Sequence, residues 1–176
     1  MPLNGAEAKA STVHWRMASL LRQRRRSRYI LPMTDLRTTL TESELRIAWR
    51  WIAEESYWGK AIPWPVFERA CRGSICFGLF ESDRLVAFAR VVTDQATFAW
   101  LCDVFVAAEA RGRGLGKTLM EGVLAEPRLR DLRRWGLATA DAHGLYGQYG
   151  FEPADPLRHM EKVDRDIYPR LAGAIT

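Results

Sequence analysis

The stretch from Thr97 to Leu124 limits the possible folds more than any other. Thr97 to Val106 is apolar on both faces apart from Asp103, as expected of a strand in the middle of a sheet covered on both sides. It runs into Glu109-Ala110-Arg111-Gly112-Arg113-Gly114-Leu115-Gly116-Lys117-Thr118, with glycine at three alternate positions. Leu115, Leu119, Met120, Val123 and Leu124 then recur at helical spacing until Pro127 stops them. Buried strand, glycine turn and amphipathic helix in that order form a layered α/β unit that brings a helix N-terminus to the sheet edge.

Three kinds of turn fit this place, and two fail on single residues. A phosphate loop needs Gly-x-x-x-x-Gly-Lys-Ser/Thr. With Gly116-Lys117-Thr118 fixed, the first glycine falls on Arg111. A dinucleotide fingerprint starting at Gly112 or Gly114 needs glycine where Lys117 or Leu119 stands. What remains is Arg-x-x-Gly-x-Gly at Arg111, Gly114 and Gly116. Glycines there let the backbone close on a ligand, while free amides and the helix dipole favour a pyrophosphate. Arg113 and Lys117 can add charge at the rim.

Around this unit the chain reads as helix, helix, three strands, helix, strand, helix, strand. Thr41-Glu42-Ser43-Glu44 is a capping box for a helix reaching about Glu55. Tyr57, Trp58, Gly59 and two prolines around Trp64 separate it from a short helix over Phe67 to Cys71. Ile75–Phe80 and Arg84–Val92 form a hairpin, Arg134–Thr139 a further strand, Ala142–Tyr149 a short helix ended by Gly150, and Leu157–Val163 a final strand. This is an α/β fold of the mixed, α+β kind, and no internal repeat is visible.

Composition removes several functions. At 176 residues with 48% hydrophobic residues, one domain with a real core is expected, and no run of 18 apolar residues offers a membrane span. Cys71, Cys76 and Cys102 make no pair motif and His14, His143 and His159 lie far apart, so neither a disulfide framework nor a metal site is expected. A reducing, cytoplasmic setting follows. The net charge of +5 resides in residues 1–28, which hold seven basic residues and one acid, leaving 19 basic against 20 acidic residues in the body. A neutral body argues against nucleic acid as partner. Residues 1–30 read as a basic extension, open to three explanations: a disordered arm, a targeting peptide, or translation starting at Met33. The domain itself spans 31–170, with a C-terminal tail at 171–176.

The glycine loop is not isolated. About thirty residues on, Asp141-Ala142-His143-Gly144-Leu145-Tyr146-Gly147-Gln148-Tyr149-Gly150-Phe151 carries Leu-Tyr on a short helix and then an aromatic-Gly-Phe step. Together the two stretches resemble the GNAT (general N-acetyltransferase) superfamily, whose acetyl-CoA signature is Arg/Gln-x-x-Gly-x-Gly/Ala. Ser56 to Pro63 adds a likeness to small bacterial single-domain members. Ala108 stands where many members have proline, and Tyr149 where phenylalanine is commoner.

The resemblance implies a mostly antiparallel central sheet with flanking helices and an acetyl-CoA cleft between central strands. It implies transfer of acetyl from the thioester to a small-molecule or peptide amine by direct attack, in a monomer or homodimer. The cofactor would lie along Val104, Phe105 and Val106 and be held by Arg111, Gly112, Arg113, Gly114, Leu115, Gly116, Lys117 and Thr118. Tyr146 matches the family's tyrosine facing the thiol, as general acid or thiolate stabiliser. The base is open among Asp103, Asp141, His143, Glu54, Glu55 and a water. Asp103 is favoured as a carboxylate in an apolar setting, with Asp141 suited to capping the helix before Tyr146. Tyr57, Trp58, Trp64 and Trp100 are candidates for an aromatic wall around the amine. The competing reading is a non-catalytic acyl-CoA-binding module on the same fold.

Overall fold

Thr41 caps the first helix, as its sequence predicts. In the computed structural model, which describes residues 34–174, α1 spans Glu42–Arg50. The Glu44 amide donates to the Thr41 hydroxyl at 3.3 Å, and the Thr41 amide donates back to the Glu44 carboxylate at 2.6 Å. The expectations for residues 1–30 and for Met33 lie outside the described residues. Helical structure continues to Glu55, but Trp51–Glu55 is a π-turn, with the Ser56 amide reaching the Trp51 carbonyl at 3.1 Å. Ser56 is buried; its hydroxyl donates to the Ile52 carbonyl at 2.7 Å and accepts from the Gly59 amide at 3.0 Å. That turn throws Tyr57 and Trp58 off the helix end. Helix α2, Trp64–Arg72, is longer than its apolar spacing suggests, because Pro65 sits in the first turn where a missing N–H is harmless.

Five strands form one sheet in the order β1 (Thr34–Arg37), β2 (Ile75–Glu81), β3 (Arg84–Thr93), β4 (Phe98–Val106) and β5 (Arg134–Gly136). Neighbours are antiparallel except β4 and β5, which run parallel across the crossover helix α3, Leu115–Ala125. The fold is thus a mixed, mostly antiparallel sheet with helices on both faces. Phe77, Leu79 and Val91 pack with Leu119, Met120 and Val123 of α3, while Phe80, Phe88 and Phe105 pack with Ala48 and Ile52 of α1 and Phe67 of α2. Phe67, Phe77, Phe80 and Phe88 are wholly buried, each contributing roughly 2–3 kcal/mol of transfer free energy.

The structure corrects the sequence reading in four places. Leu157–Val163 forms no strand: Leu157 and Met160 are 94% and 96% exposed. Its apolar residues stand three apart, so no single face of a strand collects them. Strand β5 ends at Gly136 rather than Thr139. Two elements were not anticipated. Strand β1 is an edge strand with one large apolar residue, Leu36, seated against Gly122 of α3. Helix α5, Ile167–Ala174, carries Pro169 in its first turn and extends into the segment 171–176 expected to be a tail. Among the described residues, no helix is long and apolar enough to cross a membrane.

Candidate active site

Strand β4 changes character at Asp103. The β3–β4 ladder pairs Phe88 with Phe105 but Arg90 with Cys102, so β4 carries one extra residue there, and Asp103 sits in the left-handed region at φ 54°. Aspartate tolerates that conformation at a cost of order 1 kcal/mol. On the other side of β4, the pairing with β5 runs from Phe98 to Trp100 only. Gly136 is required at the last rung because a β-carbon there would lie 2.6 Å from the Trp100 ring. Beyond it the chain leaves β4, and the two segments splay.

A cavity of about 270 Å³ lies in that splay. Trp100 to Val104 line one wall, Leu137 to Thr139 with Ala142 and Tyr146 the other, and Tyr57 and Trp58 close it from the end of the π-turn. The Tyr57 and Trp58 rings meet edge-on at 4.9 Å, and the Tyr57 hydroxyl accepts the Ala140 amide at 2.8 Å, bridging the cavity mouth. Tyr57, Trp58 and Trp100 thus line one cavity. Trp64 is not among them: it packs edge-on against Trp49 under Arg46 and lines a separate cavity of about 360 Å³. Glu54 and Glu55 are exposed and do not line the splay.

Asp103 is not a carboxylate in an apolar setting, which corrects the reason for singling it out. The Arg90 Nε donates to Asp103 Oδ2 at 2.6 Å, and Arg90 Nη1 donates to the Ser74 hydroxyl at 3.1 Å. Both side chains of the ion pair are largely buried, 15% and 11% exposed. Burial opposes the guanidinium's charge, but Asp103 outweighs it and Arg90's pKa is raised. Sequence reasoning missed Arg90. Its signal, a lone cation inside an apolar strand, was present but needed the bulged register to acquire a partner. Asp141 lines the cavity without capping α4 (His143–Tyr146); Ala142 occupies the cap position and its amide donates to Thr139 Oγ1 at 3.0 Å. His143 is exposed and lies off the cavity wall.

Two further groups have shifted protonation. Burial, with Tyr57 and Asp141 adding to it, pushes Tyr146 up to about 12, so its hydroxyl keeps its proton at neutral pH. Burial likewise pushes Cys102 up to about 11, leaving a neutral thiol and no ready nucleophile in the cavity.

Beside the cavity stands the glycine loop. Gly112 and Gly114 adopt φ of 75° and 82°, and a β-carbon on either would meet nothing within 4 Å. The loop thus needs glycine for conformation and leaves open space for a ligand against its backbone, at a helix start where the Lys117 and Thr118 amides both close on the Gly114 carbonyl, at 2.9 and 3.1 Å, and the amides of Leu115 and Gly116 precede that first helical bond. The Arg111 Nε donates to the Val106 carbonyl at 3.0 Å with its guanidinium over the Phe105 ring. Arg113 is drawn to buried Glu81 through two hydrogen bonds of 3.0 and 2.5 Å. Both arginines therefore brace the loop. Val104 faces the cavity, whereas the Phe105 side chain turns into the core and stacks on Trp51. The Tyr149 hydroxyl, absent where phenylalanine is usual, donates to the Lys117 carbonyl at 3.2 Å and ties the chain after α4 to the start of α3.

The sequence model of the acetyltransferase (GNAT) family matches residues 42–151, from the first residue of α1 to just past α4. A solved structure from Xanthomonas campestris pv. campestris, ascribed to the GNAT family as an acetyltransferase, is 46% identical, covers 78% of this chain and 97% of its own, and superposes with a TM-score of 0.72. A Clostridium acetobutylicum protein described as an acetyltransferase and solved with acetyl-CoA shares the fold at 14% identity, with 73% of this chain and 96% of its own covered and a TM-score of 0.56. Mouse N-alpha-acetyltransferase 80 is 36% identical over 85 residues, covering 47% of this chain and 27% of its own length. The chain spans less than two thirds of the curated relatives first matched, 27% of the mouse protein and 63% of a Gibberella zeae one. Glycine loop, splayed strands and Tyr146 helix all fall inside the matched span, and the chain belongs to the acetyltransferase (GNAT) family.

Proposed function

We propose that this protein is an acetyl-CoA-dependent N-acetyltransferase that moves acetyl to a primary amine by direct attack in a ternary complex. One observation carries the reading. Consecutive residues of α4 serve both halves of the site: Leu145 lies beside Gly116 at the start of α3, where a β-carbon on Gly116 would approach it to 3.9 Å, while Tyr146 lines the cavity. A cofactor anchored by its pyrophosphate at the loop and reaching along β4 would then bring its acyl end to an amine beside Tyr146.

The residues present fit acetyl-CoA: open backbone at Gly112 and Gly114 suits a pyrophosphate, and the unpaired side of β4 at Val104 to Val106 suits an extended amide chain added like a strand. Bound there, acetyl-CoA supplies an activated acyl group and a thiolate leaving group. Tyr146 donates a hydrogen bond to the sulfur position and stabilises the charge that develops there. Asp103, fixed by Arg90, holds the acceptor's ammonium and receives its proton directly or through cavity water. Burial raises the Cys102 thiol and makes it a poor nucleophile, which favours direct attack over an acyl-cysteine route. We place the activity in the cytoplasm, where its cysteines stay reduced, with a small-molecule or peptide amine as acceptor. The test is thiol release from acetyl-CoA across an amine panel: amine-dependent release supports transfer, and acetyl-CoA binding without release for any amine supports the binding-module alternative.

A further inference from the structure

The charge lining the cavity narrows the acceptor. Two carboxylates, Asp103 and Asp141, face the splay, and among the described residues Arg90 is the only cation on its wall. That cation is already committed, donating to Asp103 at 2.6 Å and to Ser74 at 3.1 Å. Arg90 and Asp103 cancel, and the charge left over is the negative one on Asp141. Four aromatic side chains, Tyr57, Trp58, Trp100 and Tyr146, line the same cavity, and Tyr57 and Trp58 are 58% and 42% exposed. Exposed ring faces attract cations and accept flat apolar surface, and they have no affinity for a carboxylate.

Resting on the N-acetyltransferase reading, we infer that the acceptor is a primary amine on an aromatic or otherwise apolar stem, with no carboxylate next to the reacting nitrogen. An amino acid's carboxylate would stand near the unbalanced charge of Asp141, with Arg90's charge already met by Asp103, a like-charge contact that selects against it. A cavity of about 270 Å³ has room for one such ring and its amine-bearing arm. Asp141 becomes the residue that sets this choice.

The test uses the full chain with acetyl-CoA and three probes of one shape: 2-phenylethylamine, phenylalaninamide and phenylalanine. Thiol release should favour the two carboxylate-free amines by about tenfold in kcat/KM, the scale of a like-charge contact a few ångströms away at a protein surface, since Asp141 is exposed. Asp141→Asn should narrow this gap while leaving the KM for acetyl-CoA unchanged, which a merely structural aspartate would not do. Equal or better use of phenylalanine would overturn the inference, as would a gap unmoved by Asp141→Asn. A melting shift with acetyl-CoA but no release from any probe overturns this acceptor class and leaves the cofactor reading standing. No melting shift with acetyl-CoA removes the enzyme reading and this inference with it.

Discussion

The glycine loop and the aromatic cavity are neighbours built on opposite principles. The loop works through its backbone: two glycines at positive φ, open space against them, and side chains such as Arg111 and Arg113 turned inward as braces. The cavity works through side chains gathered from four distant segments, around residues 57, 90, 100–104 and 137–146. A backbone device suits a ligand shared by a whole family, since it depends on few residue identities. A side-chain device suits an acceptor that differs from member to member, since each wall residue can be exchanged separately.

Substitutions in each region should break the contrast in different ways. Gly114→Trp places a large side chain in the open space at φ 82° and should abolish acetyl-CoA binding, read as loss of the cofactor-dependent melting shift, with the apo fold retained. Arg90→Met leaves Asp103 buried without its partner and should cost about 3 kcal/mol in denaturant unfolding. An unchanged unfolding midpoint would mean the ion pair is not a structural part of the cavity.

Tyr146→Phe should lower kcat by about a hundredfold with acetyl-CoA affinity nearly intact, the pattern of a group acting only in the transition state. Because burial raises this tyrosine to about 12, its neutral form persists as pH rises past the ordinary value near 10. Its contribution to stability is full below that pH and is lost as pH climbs toward 12. Tyrosinate absorbance should therefore show a late alkaline step that the phenylalanine variant lacks. Tyr57→Phe removes only the acceptor of the Ala140 amide, about 1 kcal/mol, and should raise the amine's KM several-fold with no change toward acetyl-CoA.

The same contrast decides what could be read from the sequence. Arg111, Gly114 and Gly116 were legible because a backbone requirement leaves a fixed spacing in the chain. Tyr57, Trp58 and Trp100 were legible as residue types, but nothing in the sequence separated them from Trp64, which packs under Arg46 instead. The partnership of Arg90 with Asp103 was not legible, since it depends on one extra residue in β4 that the apolar pattern of the strand conceals. Strand β1 escaped notice for want of apolar residues. The false strand at Leu157–Val163 arose from counting apolar residues without asking whether their spacing of three serves one face.

The extra residue at Asp103 also fixes what a change of length would do to this gene's product. The bulge absorbs it, so Ala99 and Leu101 before it and Val104 and Val106 after it pack towards the same core while Phe105 packs into the other. A single-codon deletion at 103 would return β4 to plain alternation with every remaining side chain on its present face, at the loss of the kink and of Arg90's partner. A codon inserted elsewhere in the strand, with no bulge to absorb it, would turn every side chain beyond it to the opposite face. The strand is in this sense written in two reading frames joined at one residue, and only at that join can a codon be lost without reversing the rest.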